Sequence, residues 1–254
     1  MSDDQLVALV TGGSSGIGKA TARLLSSEGY LVAICGRDLE RLHTAASELG
    51  DVHLIQADVA DPDDAQRAVD ETVATFGRLD ALVVAHGVLG EPAPLEDLTR
   101  EQWREVIETN LMGPVWTTTA AIKPLKQTHG SIVHVASINA IQSEPWMAPY
   151  GTSKAGLVGF TKYAAADLAE FGIRVNAVLP GWVRTPMATP WFEEAGVVDQ
   201  PMATNYMTRP AEPAELAQVI AFLVSSRASF MTGSAVVADG GHWIKMQELR
   251  PLES

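Results

Sequence analysis

The chain has 254 residues, of which 46% are hydrophobic and 19% charged, and its formal net charge is −13. This composition is typical of a globular protein, and the negative charge argues against nucleic acid, itself a polyanion, as a partner. The start, Met1–Gln5, lacks the features of a secretory signal, and no apolar stretch reaches the ~20 residues of a membrane span. We therefore expect a cytoplasmic protein with no membrane partner. The single cysteine, Cys35, excludes an internal disulfide and a cysteine-rich metal site, and its apolar surroundings predict a buried, inert thiol.

Short apolar runs alternate with longer amphipathic stretches along the chain. The apolar runs predict strands over Leu6–Val10, Leu31–Cys35, Val52–Ala57, Leu79–Ala85, Ser131–Ser137, Ile173–Leu179 and Ala235–Ala238. The amphipathic stretches predict helices over Ile17–Glu28, Leu39–Leu49, Asp61–Phe76, Arg100–Lys126, Tyr150–Phe171 and Glu212–Ser225. Pro114 and Pro124 predict a kink or an early end in the fourth of these helices.

This alternation predicts the fold class. Repeated strand–helix–strand units imply parallel strands joined by right-handed crossovers. The strands are continuous apolar runs, as expected for a parallel sheet covered by helices on both faces. Because no Gly/Ser/Pro-rich linker divides the chain, we expect one doubly wound α/β domain over residues 1–254. Residues 180–210, rich in Pro, Thr and Met, predict a long loop with short helical pieces.

A glycine-rich turn follows the first predicted strand. Thr11–Gly18 has the spacing G-x-x-x-G-x-G and opens a predicted helix. Such a turn exposes backbone N–H groups at the positive end of a helix dipole and lets the backbone approach a pyrophosphate. A purely structural turn is the alternative. The position of the turn between a strand and a helix favours dinucleotide binding.

The end of the second predicted strand bears on cofactor choice. An acidic residue there would accept hydrogen bonds from the adenosine ribose, but the chain has Gly36 followed by Arg37. A guanidinium without a competing carboxylate favours a 2′-phosphate, which predicts NADP(H). The alternative is that Arg37 only pairs with Asp38 or Glu40. Asp58, after the third strand, could meet the adenine amino group or serve as a turn residue.

Tyr150 and Lys154 are four residues apart and share one face of a predicted helix. A nearby ammonium and a positively charged nicotinamide would stabilise the phenolate and lower the pKa of Tyr150. Tyr150 could then exchange a proton with a substrate oxygen during hydride transfer, while Lys154 hydrogen-bonds the nicotinamide ribose. Such pairs are common on helix surfaces, so the pattern carries weight only together with the other motifs.

Ser137 and Asn110 supply that context. Ser137 ends a predicted strand at the sheet edge where ligands bind in such folds, and its hydroxyl could hold a substrate carbonyl oxygen. Asn110 is a poor helix former within a predicted helix. It could hold a water that links Lys154 to solvent, and it could also bond the backbone.

Taken together and in this order, the motifs resemble those of the short-chain dehydrogenase/reductase family over residues 5–241. The resemblance rests on Thr11–Gly18, Asp58-Val59, Asn110, Ser137, Tyr150 with Lys154, Pro180-Gly181 with Thr185, and Asp239-Gly240-Gly241. It implies a seven-stranded parallel sheet of order 3-2-1-4-5-6-7 and a catalytic tetrad of Asn110, Ser137, Tyr150 and Lys154. It also implies that Pro180–Thr185 closes on the nicotinamide end. The predicted cofactor-binding residues are Gly12, Ser14, Ser15, Gly16, Ile17, Gly18, Arg37, Asp58, Val59, Gly87, Tyr150, Lys154, Pro180, Gly181, Val183 and Thr185.

The chain departs from the family's pattern after the fourth strand. The family usually has Asn-Asn-Ala-Gly there, whereas this chain has Val84-Ala85-His86-Gly87. Gly87 still permits the backbone to approach the cofactor ribose. His86 either replaces part of the missing amide hydrogen bonds or faces the cofactor, and we favour the structural role.

The substrate is expected over the nicotinamide, beneath a loop at about residues 186–210. The predicted substrate-binding residues are Ser137, Trp146, Tyr150, Trp182, Met187 and Trp191. The same loop carries Phe192, Met202, Tyr206 and Met207. Methionine and aromatic side chains suit a bulky, mainly apolar ligand, although they could also only pack the loop onto the body.

We therefore expect an NADP(H)-dependent oxidoreductase that reduces a hydrophobic or aromatic ketone. The alternatives are a 3-oxoacyl-type reductase, an NAD-dependent alcohol dehydrogenase and a non-catalytic NADP(H) sensor. An acidic carrier protein would be repelled by a chain of charge −13, which argues against the first. The family resemblance implies a homotetramer formed through the helices at about residues 100–126 and 150–171. His242-Trp243-Ile244 could pack against a neighbouring subunit or fray.

Overall fold

Seven parallel strands form one sheet in the computed structural model, which describes residues 5–196 and 202–245. They are β1 Val7–Thr11, β2 Leu31–Gly36, β3 His53–Gln56, β4 Ala81–Val84, β5 Ser131–Val135, β6 Arg174–Pro180 and β7 Ala235–Ala238. The strand order is β3-β2-β1-β4-β5-β6-β7, and every pairing is parallel. The predicted fold class and strand order are confirmed.

Helices cover the sheet on both faces. They are α1 Gly16–Ser27, α2 Leu39–Leu49, α3 Pro62–Phe76, α4 Arg100–Ile107, α5 Gly113–Thr128, α6 Ala148–Leu168, α7 Thr189–Glu194 and α8 Pro213–Val224. Local sequence explains several of their ends. The Asp61 side chain accepts from the backbone N–H groups of Asp63 and Asp64 at the start of α3, and Gly77 ends that helix with φ of 83°.

The hydrophobic core lies in two layers, one on each face of the sheet. On one face, buried side chains of α3, α5 and α6 pack against β1, β4 and β5, with Leu82 and Ile132 fully buried. On the other, α1, α2 and α8 pack against alternate residues of the same strands, with Val10 and Val133 fully buried. This double burial explains why the strands are apolar throughout. Cys35 is buried as predicted, and burial raises the pKa of its thiol to about 12.

The long helix predicted over Arg100–Lys126 is interrupted, although not by its prolines. A π-helical turn, Glu108–Met112, separates α4 from α5 and contains Asn110. Pro114 lies in the first turn of α5, where a missing N–H costs nothing, and Pro124 lies inside the helix. An insertion of this kind often marks a functional site.

The loop predicted over residues 180–210 contains α7, and residues 197–201 within it lie outside the described part of the chain. The strand order reverses between β1 and β4, which leaves a crevice at their carboxyl ends. Across the described residues, no helix is long and apolar enough to cross a membrane. The same residues contain no group of His, Cys, Asp and Glu side chains that could hold a metal ion.

Candidate active site

A cavity of about 360 Å³ opens at the carboxyl ends of the central strands. One end, the adenosine end, is lined by Gly36, Arg37 and Asp58. The other, the catalytic end, is lined by Ser137 and Tyr150. The turn between β1 and α1 lies along the wall that joins them. Of the predicted cofactor-binding residues, all except Gly18 line this cavity.

The glycine turn needs its glycines for two reasons. Gly12 and Gly16 have φ of 67° and 51°, in the left-handed region that disfavours other residues. A Cβ at Gly18 would lie 2.3 Å from the carbonyl oxygen of Gly12, so only glycine lets α1 pack on the turn. Gly18 therefore allows α1 to pack closely against the turn, and it does not line the cavity.

The start of α1 is suited to an anion. Ser15 is its N-cap residue but makes no side-chain cap hydrogen bond, and the first turn contains no acidic residue. The first backbone N–H groups of the helix are therefore left for a ligand, at the positive end of the helix dipole. Ser14, Ser15, Gly16 and Ile17 line the cavity at this point. These features fit the pyrophosphate of a dinucleotide.

At the adenosine end, Arg37 reaches across to Asp58. Its Nη1 lies 3.8 Å from Asp58 Oδ2, and the two side chains are 61% and 46% exposed. Asp38, one of the partners considered from sequence, instead caps α2 by accepting from the backbone N–H of Arg41. Asp58 also accepts from the N–H of Ala60, so it serves as a turn residue while it faces the cavity. The Arg37 guanidinium is thus held at the cavity by a weak, exposed ion pair.

Tyr150 and Lys154 lie on the first turns of α6 and meet at the catalytic end. Lys154 Nζ lies 5.6 Å from the centroid of the Tyr150 ring and donates to the carbonyl oxygen of Val135, at 3.0 Å. The lysine side chain is buried, and burial lowers its pKa to about 8. Lys154 is therefore held in one place by the end of β5.

The groups of the protein itself raise the pKa of Tyr150. Burial of the phenol is the main cause, and the carboxylate of Glu144 adds to it. The interaction with the Ser137 side chain works in the opposite direction. The lowering predicted from sequence depends on the charge of an oxidised nicotinamide as well as on Lys154, and it stays a prediction for the enzyme with its cofactor.

Ser137 follows β5 and is buried beside Tyr150. Its Oγ accepts from the backbone N–H of Asn139, at 3.1 Å, at the start of a short 3₁₀ turn. This bond uses an acceptor site of the hydroxyl, and the Ser137 side chain also hydrogen-bonds Tyr150. A substrate oxygen that enters between the two side chains would take over that bond. Ser137 can therefore donate to an oxygen placed between it and Tyr150.

Asn110 is fully buried and does not line the cavity. Its Oδ1 accepts from the N–H of Val88 at 2.8 Å, and its Nδ2 donates to the carbonyl oxygen of Val88 at 2.7 Å and to Ser153 Oγ at 3.2 Å. Asn110 thus ties the π-helical turn to the loop after β4 and to α6. A Cβ at Gly87 would lie 3.1 Å from Asn110 Oδ1 and 3.4 Å from Lys154 Nζ. Gly87 therefore keeps the space between them open.

His86 hydrogen-bonds the glycine turn. Its Nδ1 lies 2.7 Å from Thr11 Oγ1, which also accepts from the N–H of Ala85. Burial and the charge of Lys154 lower the pKa of His86 to about 3, so the ring is neutral. The carbonyl of Thr109 has a smaller, opposite effect on this pKa, but Nε2 completes no hydrogen bond with the described residues. These contacts favour the structural role, although the ring also lines the cavity.

The predicted substrate-binding residues divide into two groups. Trp182, Met187 and Trp191 line the catalytic end together with Ser137 and Tyr150. Trp146 is 62% exposed and is not among the described residues that line the cavity. Its backbone has φ of 66°, and its carbonyl oxygen accepts from the N–H of Ala93 at the surface.

Other loop residues also differ in their surroundings. Phe192 is buried against Trp182, with ring centroids 5.6 Å apart, and Met202 is buried as well. Tyr206 and Met207 are more than half exposed. The loop thus uses some apolar side chains for packing and others for the cavity, which combines the two alternatives drawn from sequence.

Five residues at the catalytic end were not identified from sequence: Asn139, Gln142, Glu144, Met147 and His242. Four of them lie between Ser137 and Tyr150, and a segment that joins two site residues must pass over the site. The position of these four residues between Ser137 and Tyr150 could therefore have been used to predict that they lie at the site. His242 had none, because its place depends on how the last segment turns.

The last described segment turns back over the cavity after β7. The carboxylate of Asp239 accepts from the backbone N–H groups of Gly241 and Trp243. This turn brings His242 Nε2 to within 3.3 Å of Gln142 Nε2. Lys245 Nζ donates to the carbonyl oxygen of Ala203, so the segment is also bonded to the substrate loop.

The chain is similar to known proteins over most of its length. The family model described as enoyl-(acyl carrier protein) reductase matches residues 12–242. Cyclohexanol dehydrogenase from Acinetobacter sp. (strain SE19) is 38% identical over 244 residues, which is 94% of this chain and 95% of that protein. The 3-oxoacyl-[acyl-carrier-protein] reductase FabG from Thermotoga maritima is 39% identical over 92% of this chain and 96% of that protein.

The structural comparison points the same way. The crystal structure of levodione reductase superimposes with a TM-score of 0.90 at 30% sequence identity, and the match covers 95% of this chain and 98% of that one. Fold, site residues and relatives at this identity over nearly the whole length agree with one another. The chain belongs to the short-chain dehydrogenase/reductase family, whose members are oxidoreductases that bind a nicotinamide cofactor.

Proposed function

We propose that this protein is an NADP(H)-dependent reductase of hydrophobic cyclic ketones that also oxidises the corresponding secondary alcohols. The observation that carries the proposal is the group formed by the buried Ser137 and Lys154 and the half-buried Tyr150 at one end of a cavity lined by Met187 and Trp191. Two similar proteins are named cyclohexanol and cyclopentanol dehydrogenase, and a similar structure is that of levodione reductase. One domain would hold both cofactor and substrate.

Each residue has a distinct part in this reaction. The bound nicotinamide cofactor would supply the hydride to the carbonyl carbon or accept it from the alcohol. The Ser137 O–H donates to the carbonyl oxygen and holds it beside Tyr150. The Tyr150 phenol gives its proton to that oxygen during reduction and takes a proton back during oxidation. Lys154 lies beside the phenol, and its charge stabilises the phenolate that reduction leaves.

The protonation state of Tyr150 couples the direction of the proposed reaction to pH. A phenol with a pKa above its ordinary value stays protonated at neutral pH, which is the form that donates a proton. Oxidation needs the phenolate, and the fraction of that form increases with pH. Ketone reduction is therefore favoured near neutral pH and alcohol oxidation at alkaline pH.

The preference for NADP(H) rests on Arg37. Asp58 holds its guanidinium at the adenosine end by an ion pair in which both groups are exposed, so the pair costs little to rearrange. A 2′-phosphate would bring two negative charges within reach of the guanidinium. The adjoining Gly36 offers no carboxylate to the ribose.

Replacing the guanidinium tests this assignment. We expect Arg37→Ala to weaken NADPH binding about 10- to 100-fold, the value of a lost charge-assisted hydrogen bond to phosphate, and to change NADH binding by less than about threefold. The two dissociation constants would be measured by fluorescence titration. Arg104→Ala, which removes an exposed guanidinium paired with Glu108 outside the cavity, is the matched control. Equal weakening of both cofactors by Arg37→Ala would refute this role.

Turnover of defined substrates tests the function itself. NADPH oxidation would be followed with cyclohexanone, cyclopentanone, an aromatic ketone, an aliphatic ketone and a 3-oxoacyl thioester, with NADH in parallel. We expect the cyclic ketones to give the highest kcat/KM and NADPH to be preferred. A preference for the thioester would favour a 3-oxoacyl reductase, and a preference for NADH would overturn the cofactor assignment. Binding of NADPH without any turnover would favour a sensor.

Two further expectations from sequence stay predictions. One is a homotetramer formed through the helices at about residues 100–126 and 150–171. Sedimentation would measure the stoichiometry. The other is a cytoplasmic location.

A further inference from the structure

One carboxylate lies at the catalytic end of the cavity. Three acidic residues line the cavity within the described part of the chain: Asp38, Asp58 and Glu144. The first two are at the adenosine end. Glu144 lies instead with Ser137 and Tyr150, among side chains that are otherwise mainly apolar, such as Met147 and Met187.

Glu144 is tied to the catalytic serine through one residue. Asn139 donates from Nδ2 to Glu144 Oε2, at 3.0 Å, and from its backbone N–H to Ser137 Oγ, at 3.1 Å. The other carboxylate oxygen, Oε1, makes no hydrogen bond to the residues that the structure describes. The Glu144 carboxylate is therefore held in place relative to Ser137 Oγ. Its Oε1 stays available to a ligand in the cavity.

A second polar group faces the same space. Gln142 and His242 are in contact at 3.3 Å, and both line the cavity. His242 Nδ1 is buried and has no partner among the described residues. Glu144 and this pair thus form a polar patch beside the catalytic residues, in a cavity where apolar contacts alone would serve a simple hydrocarbon ring.

The carboxylate has a cost for catalysis. It raises the pKa of Tyr150 and so opposes formation of the phenolate. A half-buried charge with an open oxygen also loses part of its hydration when a ligand fills the cavity, and this loss is offset only if the ligand supplies a donor. An apolar substrate would leave Glu144 without that donor, whereas a substrate carboxylate would be repelled.

We propose that Glu144 selects substrates that carry a second hydrogen-bond donor, a hydroxyl or an ammonium group, on the ring that bears the reacting carbonyl or alcohol. This inference rests on the proposed function and narrows its substrate class. A hydroxyl would donate to Oε1 and could accept from the Gln142 or His242 side chain. An ammonium group would in addition neutralise the carboxylate.

Oxidation by NADP⁺ of cyclohexanol and of three groups of its derivatives tests the proposal. They are cyclohexanol, the cyclohexanediols, the aminocyclohexanols and the hydroxycyclohexanecarboxylates, each with its second group at C2, C3 or C4. We expect the best diol or amino alcohol to exceed cyclohexanol at least tenfold in kcat/KM, and every carboxylate to fall below cyclohexanol. A larger gain for the amino alcohols than for the diols would identify charge as the main factor, and the reverse would identify the hydroxyl.

Two variants distinguish recognition of the substrate by Glu144 from a role in which Glu144 only holds Asn139. Glu144→Gln keeps an acceptor oxygen but removes the charge, so the advantage of the amino alcohol should fall at least tenfold and that of the diol by less. Glu144→Leu should remove both advantages. Glu96→Gln, an exposed position outside the cavity, is the matched control and should leave all ratios unchanged.

The pH profile supplies a readout that a merely structural role would not move. The other titratable groups that line this end are Lys154, His86 and His242, and none of them is altered in the variants. Because Glu144 raises the pKa of Tyr150, cyclohexanol oxidation by either Glu144 variant should reach its plateau at lower pH than in wild type. An unshifted profile would contradict the proximity on which the inference depends.

The outcomes for the two proposals are distinct. If wild type oxidises cyclohexanol with no advantage for any donor-bearing substrate, the inference about Glu144 is overturned and the proposed function stands. Equal losses for all substrates in both Glu144 variants would mean that Glu144 only supports Asn139. If wild type oxidises none of these compounds with NADP⁺, the proposed function fails, and the inference fails with it.

Discussion

Tyr150→Phe is expected to lower kcat by about a thousandfold while cofactor affinity changes little. The substitution removes one oxygen atom from a half-buried ring that lies beside Ser137 and Lys154. The ring itself keeps its packing, so the site should retain its shape. Steady-state turnover of a cyclic ketone would measure the first effect, and fluorescence titration with NADPH would measure the second.

Tyr163→Phe provides a matched control on the same helix. Tyr163 is 77% exposed and lies outside the cavity, so the loss of its hydroxyl should leave turnover unchanged. If Tyr150→Phe kept more than a tenth of wild-type kcat, proton transfer would have to come from another group. The role assigned to Tyr150 would then be wrong.

Gly18→Ala is expected to cost the protein about 2–3 kcal/mol of stability and to abolish dinucleotide binding. The added Cβ would lie 2.3 Å from the Gly12 carbonyl oxygen and 2.8 Å from its carbonyl carbon. These are backbone atoms of the turn itself, so relief requires the turn and α1 to move apart. The free N–H groups of α1 would then no longer face the cavity.

Ser27→Ala on the same helix separates this effect from a general loss of helix stability. Ser27 is exposed, and its hydroxyl bonds only the carbonyl of Leu24 one turn earlier. The free energy of unfolding should change by less than about 0.5 kcal/mol. Urea unfolding and NADPH titration of both variants would measure the difference. Normal NADPH affinity in Gly18→Ala would mean that the turn does not hold the cofactor.

Most of the fold could be predicted because each strand is short, apolar and followed by a polar turn. The helix α2 begins and ends at Leu39 and Leu49 as expected, since Asp38 and Gly50 are local cap signals. The strand ends differ from prediction by at most two residues, and β7 has the predicted bounds. An apolar run such as Leu79–Ala85 continues past the four residues that form ladder hydrogen bonds.

The parts that were missed depend on contacts between distant segments. The π-helical turn arises where Asn110 bonds Val88, and no local pattern in the sequence records that pairing. Trp146 was expected to face the substrate, but its left-handed backbone turns it to the surface. Burial and Glu144 raise the pKa of Tyr150, and neither is visible in the Y-x-x-x-K spacing.

The closing turn at Asp239 has a consequence for how this enzyme can change. The residues proposed to act in the reaction lie just after β5 or in α6, where the backbone of β5 holds Lys154. The segment that ends in His242 and Lys245 is bonded instead to the substrate loop at Ala203 and to Gln142. Substrate preference can therefore drift by substitutions in two surface segments that support each other, without disturbing the sheet. We therefore expect that substrate preference can change while the rate of the chemical step is kept. A library of variants mutated only in those two segments should yield proteins with new substrates that retain turnover.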